Sequence, residues 1–292
     1  MRISKGKKLV LFLTLCISVL LCACQNPKAP ETELQEASVP AVSGTFSVSI
    51  FDVGKADAIF LQTTNHTVVI DCGEKGDAED LVASLEEKGV KKIDYLFITH
   101  FDKDHVGGVP GILEKMDVGE IIVPDYEGNN SAYTNYLSAL QEKNISPAAL
   151  TETMVLTLDD VLFEVFPPLK ASYVESDNDY SLVISASHGE NRFLFTGDAE
   201  AERLKELPSQ FSLKHDFLKV PHHGRFSDST KDFLTGTAPD YAVITCSKKN
   251  PPEQRVLDLL SSLDVEVFLT ENGNVHAVSD GKNITLTQEK KE

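Results

Sequence analysis

The segment Thr99-His100-Phe101-Asp102-Lys103-Asp104-His105-Val106-Gly107-Gly108 places two imidazoles and two carboxylates within six positions. His100, Asp102, Asp104 and His105 are all strong donors to a divalent metal. Crowding them without a cation costs free energy through like-charge repulsion and desolvation. The chemistry such a set supports is metal-assisted hydrolysis. A solvated acidic loop is the competing description of the same residues. The donors directly follow an apolar run, residues 93–98, which is short, β-branched and aromatic-containing and therefore predicts a buried strand. A strand end feeding the Gly107-Gly108 turn is a place from which a loop can aim side chains into a cleft.

The elements that must position these donors follow from periodicity. Strands are predicted near residues 46–51, 58–62, 67–70, 95–99, 120–123, 161–166, 181–187, 192–196, 217–220, 241–245, 265–269 and 283–287. Helices are predicted over 78–88, with Leu81, Val82 and Leu85 on one face, Asp77 as cap and Gly89 as stop, and over 110–116 and 254–263. Strands alternating with amphipathic helices predict an α/β fold of sheet layers flanked by helices. No internal repeat and no second linker interrupt residues 46–292, which are read as one domain.

Before that domain lies a targeting signal. Arg2, Lys5, Lys7 and Lys8 form a basic start, residues 9–21 are apolar but short for a span, and Leu21-Cys22-Ala23-Cys24 puts small residues before a cysteine. The last four residues resemble a bacterial lipobox. That resemblance implies a signal peptide over 1–23, cleavage before Cys24, lipidation of Cys24, and an extracytoplasmic protein anchored by lipid to a bacterial cell membrane. A retained transmembrane anchor is the alternative. Residues 24–45, with Pro27, Pro30 and Pro40, read as a flexible tether. Of five cysteines, only Cys72 and Cys246 then remain in the domain, read as buried free thiols. Lys and Arg number 27 against 45 Asp and Glu, a formal net charge of −18, and such a surface repels polyanions at long range.

Taken together, the runs Phe51-Asp52-Val53-Gly54-Lys55-Ala56-Asp57-Ala58, Val69-Ile70-Asp71-Cys72-Gly73, His100 to Gly108, Phe195-Thr196-Gly197-Asp198-Ala199-Glu200 and Pro221-His222-His223-Gly224 resemble the metallo-β-lactamase superfamily. More narrowly, they resemble the hydrolase domain of ComEC competence proteins and its free-standing relatives. The resemblance implies a four-layer αββα sandwich with a site for two divalent metal ions, Zn or Mn, along one edge. It further implies that His100 and Asp102 hold one metal, Asp104 and His105 the other, that Asp198 bridges them, and that Asp71 orients a ligand from behind. Asp102 stands where most of the superfamily has a histidine, which makes oxygen-preferring ions such as Mn²⁺ more competitive. His222 and His223 are expected at the cleft, one of them donating a hydrogen bond or proton to a leaving oxygen.

This chain also departs from the pattern. Relatives carry a His-Pro pair, whose histidine helps bind the second metal, where this chain has Lys249-Asn250-Pro251-Pro252-Glu253. Glu253, His222 or His223 could take that place, or the second site could be weak. Asn178 stands near the position of another family histidine, as a ligand or a turn residue. Arg225 replaces a serine, either as a clamp on an anionic substrate or as a solvated loop residue. His66, His188, His215 and His276 are read as structural, His188 in a hairpin turn. The expected function is a surface-tethered metal-dependent hydrolase of phosphodiesters, acting on extracellular DNA or a cell-wall or lipid ester. The alternative is a non-catalytic metal-binding surface lipoprotein of the same fold. No protein partner is indicated.

Overall fold

The computed structural model describes residue 42 and residues 44–173 and 177–291. The leader, Cys24 and the tether up to residue 41 lie outside the described residues. Among those described, no helix is long and apolar enough to cross a membrane.

The first half of the chain runs β1 (Phe46–Ile50), β2 (Ala58–Gln62), β3 (Thr67–Cys72), α1 (Ala78–Glu87), β4 (Lys92–Phe97), α2 (Lys103–Val106), α3 (Val109–Lys115), β5 (Asp117–Pro124), α4 (Ser131–Lys143) and β6 (Ala148–Leu150). The second continues with β7 (Met154–Leu158), β8 (Val161–Phe166), β9 (Val183–His188), β10 (Asn191–Phe195), α5 (Ala201–Gln210), β11 (Phe217–Lys219), α6 (Thr230–Thr237), β12 (Tyr241–Ile244), α7 (Gln254–Ser262), β13 (Glu266–Leu269), β14 (Val275–Ser279) and β15 (Ile284–Gln288). One sheet has the order β15-β14-β1-β2-β3-β4-β5-β6, the other β13-β12-β11-β10-β9-β8-β7.

Side chains along the central strands alternate between two apolar layers, as a period of two requires. Val68 and Ile70 of β3, with Phe97 of β4, meet Phe163, Phe193, Phe195 and Phe217 between the sheets. Val69 and Leu96 face outward, onto Leu81, Leu85, Ile112, Leu113 and Leu140 of α1, α3 and α4. On the opposite side Leu194, Leu218 and Ala242 pack on Leu204, Leu207, Phe233, Leu234, Val256 and Leu260 of α5, α6 and α7. Strands buried on both faces are why the sequence shows continuous apolar runs. The result is the expected four-layer αββα sandwich.

Each sheet has a parallel half, β3-β4-β5-β6 in one and β10-β11-β12-β13 in the other. Helical crossovers join these strands, so their carboxyl ends open at one edge, where α/β sheets usually receive ligands. Two local expectations change. Asp77 holds the N-cap position of α1, but its side chain makes no capping bond; its Oδ2 accepts a hydrogen bond from the Glu74 N–H at 2.7 Å, closing the turn before the helix. His188 is not in a turn but ends β9, buried, with Nδ1 2.8 Å from Ser279 Oγ. Gly89 stops α1 as expected, at φ +78°. Cys72 and Cys246 are buried free thiols.

Candidate metal centre

The open edge gathers residues from both sheets. Asp71 lies at the end of β3, Thr99 and His100 follow β4, and Asp104 and His105 sit in α2. Asp198 follows β10, His222 and His223 follow β11, and Thr245 follows β12. Asp71 has a left-handed backbone, φ +57°, which turns the chain out of the strand toward Gly73. His222 and His223 are also left-handed, at φ 45° and 53°, and Gly224 continues the turn at +76°. Such conformations cost a histidine free energy, and they are held here at the site itself. A Cβ on Gly224 would stand 2.6 Å from Pro252 Cβ, so glycine is required to close the loop.

The hydrogen bonds fix which nitrogen each imidazole offers. Asp71 accepts from the Thr99 N–H at 2.8 Å and from Thr99 Oγ1 at 2.7 Å, and His105 Nδ1 donates to its Oδ2 at 2.8 Å. With its proton given to Asp71, Thr99 Oγ1 can only accept from His100 Nδ1, 3.1 Å away. The same relay recurs on the opposite sheet. Thr245 Oγ1 donates to Asp57 Oδ1 at 2.7 Å and so accepts from His223 Nδ1 at 2.8 Å. His100, His105 and His223 therefore all keep a proton on Nδ1 and turn Nε2 to the site. All three Nε2 atoms are buried and lack a hydrogen-bond partner, as does Asp198 Oδ1. Asp198 Oδ2 is 3.0 Å from His223 Nε2 and 3.3 Å from His105 Nε2, close but without hydrogen-bond alignment.

Donor atoms of Asp104, His105, Asp198 and His223 all lie within 4.8 Å of one another. Burial works against charge on His105, but Asp198 and Asp71 outweigh it and hold its pKa well above the usual histidine value. His223 is raised too, with burial overcome by Asp198 and Asp104. Burial likewise opposes ionisation of Asp104 and Asp198, yet His223 and His105 pull both below the usual carboxylate range. The carboxylates thus favour positive charge at His105 and His223, the charge that a divalent cation would supply. Orphaned imidazole nitrogens facing paired carboxylates are a donor set that fits such an ion.

The residues singled out in the sequence thus separate. Asp104, His105, Asp198 and His223 come together, with Asp71 behind His105. His100 is not grouped with them, although its ring lies 4.1 Å from that of His105; its Nε2 is 3.8 Å from Asp102 Oδ2, and the Asp102 side chain is 42% exposed. His222 lies beside the cluster, with Nε2 3.7 Å from Asp198 Oδ2 and Nδ1 2.6 Å from Glu200 Oε1. Of the residues that could stand in for the absent His-Pro donor, His223 lies in the cluster, whereas Glu253 oxygens meet the Phe226 N–H and Arg255. Asn178 Nδ2 donates to Glu200 Oε1 at 3.3 Å. Arg225 is exposed on the loop beyond. His66, His188, His215 and His276 pair with residues remote from the cluster, namely Asp159, Ser279, Ser185 and Ser49.

Sequence reasoning passed over Asp57, Thr99, Thr245, Glu200 and Lys219. Lys219 is wholly buried, with Nζ 2.5 Å from Asp57 Oδ2 and 3.6 Å from Asp198 Oδ1, and it donates to Gly197 O at 3.1 Å. Burial disfavours its charge, but Asp57 holds its pKa above the ordinary lysine value. The available signal was a cation inside the apolar run 217–220, which a core strand accepts only with a partner.

Comparison with known proteins agrees with this geometry. A family model described as the metallo-beta-lactamase superfamily matches residues 51–247. ComE operon protein 3 of Bacillus subtilis is 29% identical over 259 residues, covering 81% of this chain and 33% of the relative. Competence protein ComA of Neisseria gonorrhoeae is 27% identical over 231 residues, 77% of this chain and 31% of its own. The chain thus spans about a third of the length of these curated relatives. A shorter stretch of 105 residues is 31% identical to ribonuclease Z of Agathobacter rectalis, covering 35% of this chain and 32% of that protein. Among solved structures, the metallo-beta-lactamase fold protein YhfI from Bacillus subtilis superposes with a TM-score of 0.54 at 11% identity, over 84% of this chain and all of that one. By the family match over most of its length and by an edge-on donor cluster between two sheets, this chain belongs to the metallo-beta-lactamase superfamily.

Proposed function

We propose that this protein is a metal-dependent hydrolase of phosphodiesters, held at the outer face of a bacterial membrane by a lipid on Cys24. The observation that carries the hydrolytic reading is the set of three imidazoles with Nδ1 tied back and Nε2 bare, converging with Asp104 and Asp198. His105, His223, Asp104 and Asp198 would hold the principal ion, with His100 and Asp102 beside it. A bound divalent ion supplies Lewis acidity and activates water at neutral pH. Zn²⁺ and Mn²⁺ both suit a mixed imidazole and carboxylate set. Asp71 and Thr245 keep the ligand imidazoles in register. His222 lies at the mouth with Glu200 against its Nδ1, so Nε2 is free to exchange a proton with a leaving oxygen. Arg225, exposed beyond it, would meet an anionic group of substrate.

Competence-protein relatives favour DNA as the substrate, and the ribonuclease similarity favours the phosphodiester bond itself. The net charge of −18 favours a shorter cell-envelope ester over a long polyanion. Surface display is supported by the basic start, the apolar stretch and the Leu21 to Cys24 segment. A non-catalytic binding protein drew its support from the absent His-Pro pair, and the position of His223 removes much of that support. The test is hydrolysis of bis(p-nitrophenyl) phosphate, single-stranded DNA and a choline-phosphate ester by Zn- and Mn-loaded protein, with Asp198→Ala as control. Turnover abolished by chelation and by Asp198→Ala is expected. A metal-loaded, folded protein inactive on all three would overturn the reading.

A further inference from the structure

We infer that the two metal positions are unequal. Asp104, His105, Asp198 and His223 retain one ion tightly, whereas His100 and Asp102 hold a second only weakly and depend on an anionic oxygen of the substrate to complete it. This rests on the metallo-hydrolase reading and inverts the sequence expectation that the Asp104 and His105 side is the deficient one.

The inequality is built into the donor count. On one side four donors lie mutually within 4.8 Å, every one of them under 9% exposed, and two are imidazoles with their tautomers fixed. On the other, among the described residues no group of three His, Cys, Asp or Glu side chains includes His100 or Asp102. His100 is wholly buried and correctly presented by Thr99, but its neighbour Asp102 is 42% exposed and 3.8 Å away. A position with only two such donors leaves the ion to neutral oxygens, to water and to whatever anion enters. It also carries the repulsion of the ion already bound nearby, with only Asp102 at hand to offset it.

A third grouping, Asp57, Asp71 and His105, does not compete for metal. Lys219 Nζ already lies on Asp57 at 2.5 Å, and Asp71 is fully engaged by Thr99 and His105. The ammonium of Lys219 is the resident cation of that inner layer, which leaves two positions for metal and not three.

The experiment follows metal content, not turnover. The full chain loaded with Mn²⁺ is dialysed against metal-free buffer and analysed for bound metal, then titrated with Mn²⁺ by calorimetry and by the electron paramagnetic resonance signal of free Mn²⁺, with and without inorganic phosphate. One equivalent should survive dialysis. A second should bind about 100-fold more weakly, the scale on which single supporting partners already change metal affinity. Phosphate should tighten the second step and leave the first unchanged. Asp102→Asn, at a side chain 42% exposed, should delete only the second step, and His223→Gln should lose the retained equivalent. Two equivalents of indistinguishable affinity, or loss of the retained ion in Asp102→Asn, would overturn the asymmetry while leaving the hydrolase reading intact. Failure to bind any ion in a folded protein would overturn both.

Discussion

Thr99 and Thr245 perform one task on opposite sheets. Each hydroxyl gives its proton to a buried carboxylate, Asp71 or Asp57, and in doing so becomes an acceptor for a histidine Nδ1. Thr245→Val keeps the shape and removes the relay. It should cost about 1–3 kcal/mol of stability by stranding Asp57 Oδ1, and, with His223 Nδ1 left only its longer 3.2 Å contact to Thr245 O, weaken the tightly held ion roughly 10- to 100-fold. Denaturant unfolding and Mn²⁺ titration would check the two effects, and an unchanged affinity would mean that His223 is positioned by its backbone alone. Remote from the site, His215 offers a cleaner view of protonation. Its Nδ1 donates to Leu213 O at 2.9 Å, Nε2 meets Ser185 Oγ at 2.9 Å, and burial depresses its pKa below the usual value. The unfolded chain therefore binds the proton more readily, so the stability contributed by neutral His215 is present above the unfolded pKa, about 6.5, and is lost as pH falls through it. Between about pH 7.5 and 5.5 the parent should lose more stability than His215→Asn. Equal losses in chemical denaturation would refute this. The contiguous donors of residues 100–105 were legible because spacing alone reveals them. The Asp57 relay was not, because Asp57 and Thr245 meet across 188 positions of sequence.

At the level of elements, the donor loop is fixed by close backbone approach. A Cβ on Gly108 would stand 2.1 Å from the backbone oxygen of Cys72, at the end of β3. Neither partner is a flexible side chain that could give way. Gly108→Ala should therefore cost about 2–3 kcal/mol and shift α2, with Asp104 and His105, away from Asp71. A melting curve together with retained metal content would check it; a stable variant with normal metal content would mean that the β3 end yields easily. The elements that periodicity revealed are those with a clear apolar rhythm, such as α1 and the paired core strands. Those it missed have physical reasons for silence. α4 buries only Tyr136, Ala139 and Leu140 of its thirteen residues, and α5 contains Pro208 and buries Arg203 beside Leu204 and Leu207. That arginine satisfies itself on Phe166 O, Ser181 O, Glu206 and Gln210, so a charge occupies what a pattern would read as the exposed face. β14 alternates correctly but is short and carries His276, paired with Ser49 across β1.

For the molecule as a whole, the order of five short motifs revealed the architecture that no single strand prediction could. Each motif marks a strand end at the same edge, and the two parallel half-sheets bring those ends together. The division of donors between the sheets has a kinetic consequence. His105 sits in α2, after β4 of the first sheet, and His223 follows β11 of the second, 118 positions later in the chain. Their Nε2 atoms can face a common ion only after both sheets have formed and docked. An interaction absent from the transition state acts on the rate of leaving the native state and not on the rate of reaching it. Metal should accordingly leave the refolding arm of a chevron unchanged and depress the unfolding arm. The ion would then act as a latch across the seam of the sandwich, prolonging the lifetime of a fold that assembles without it.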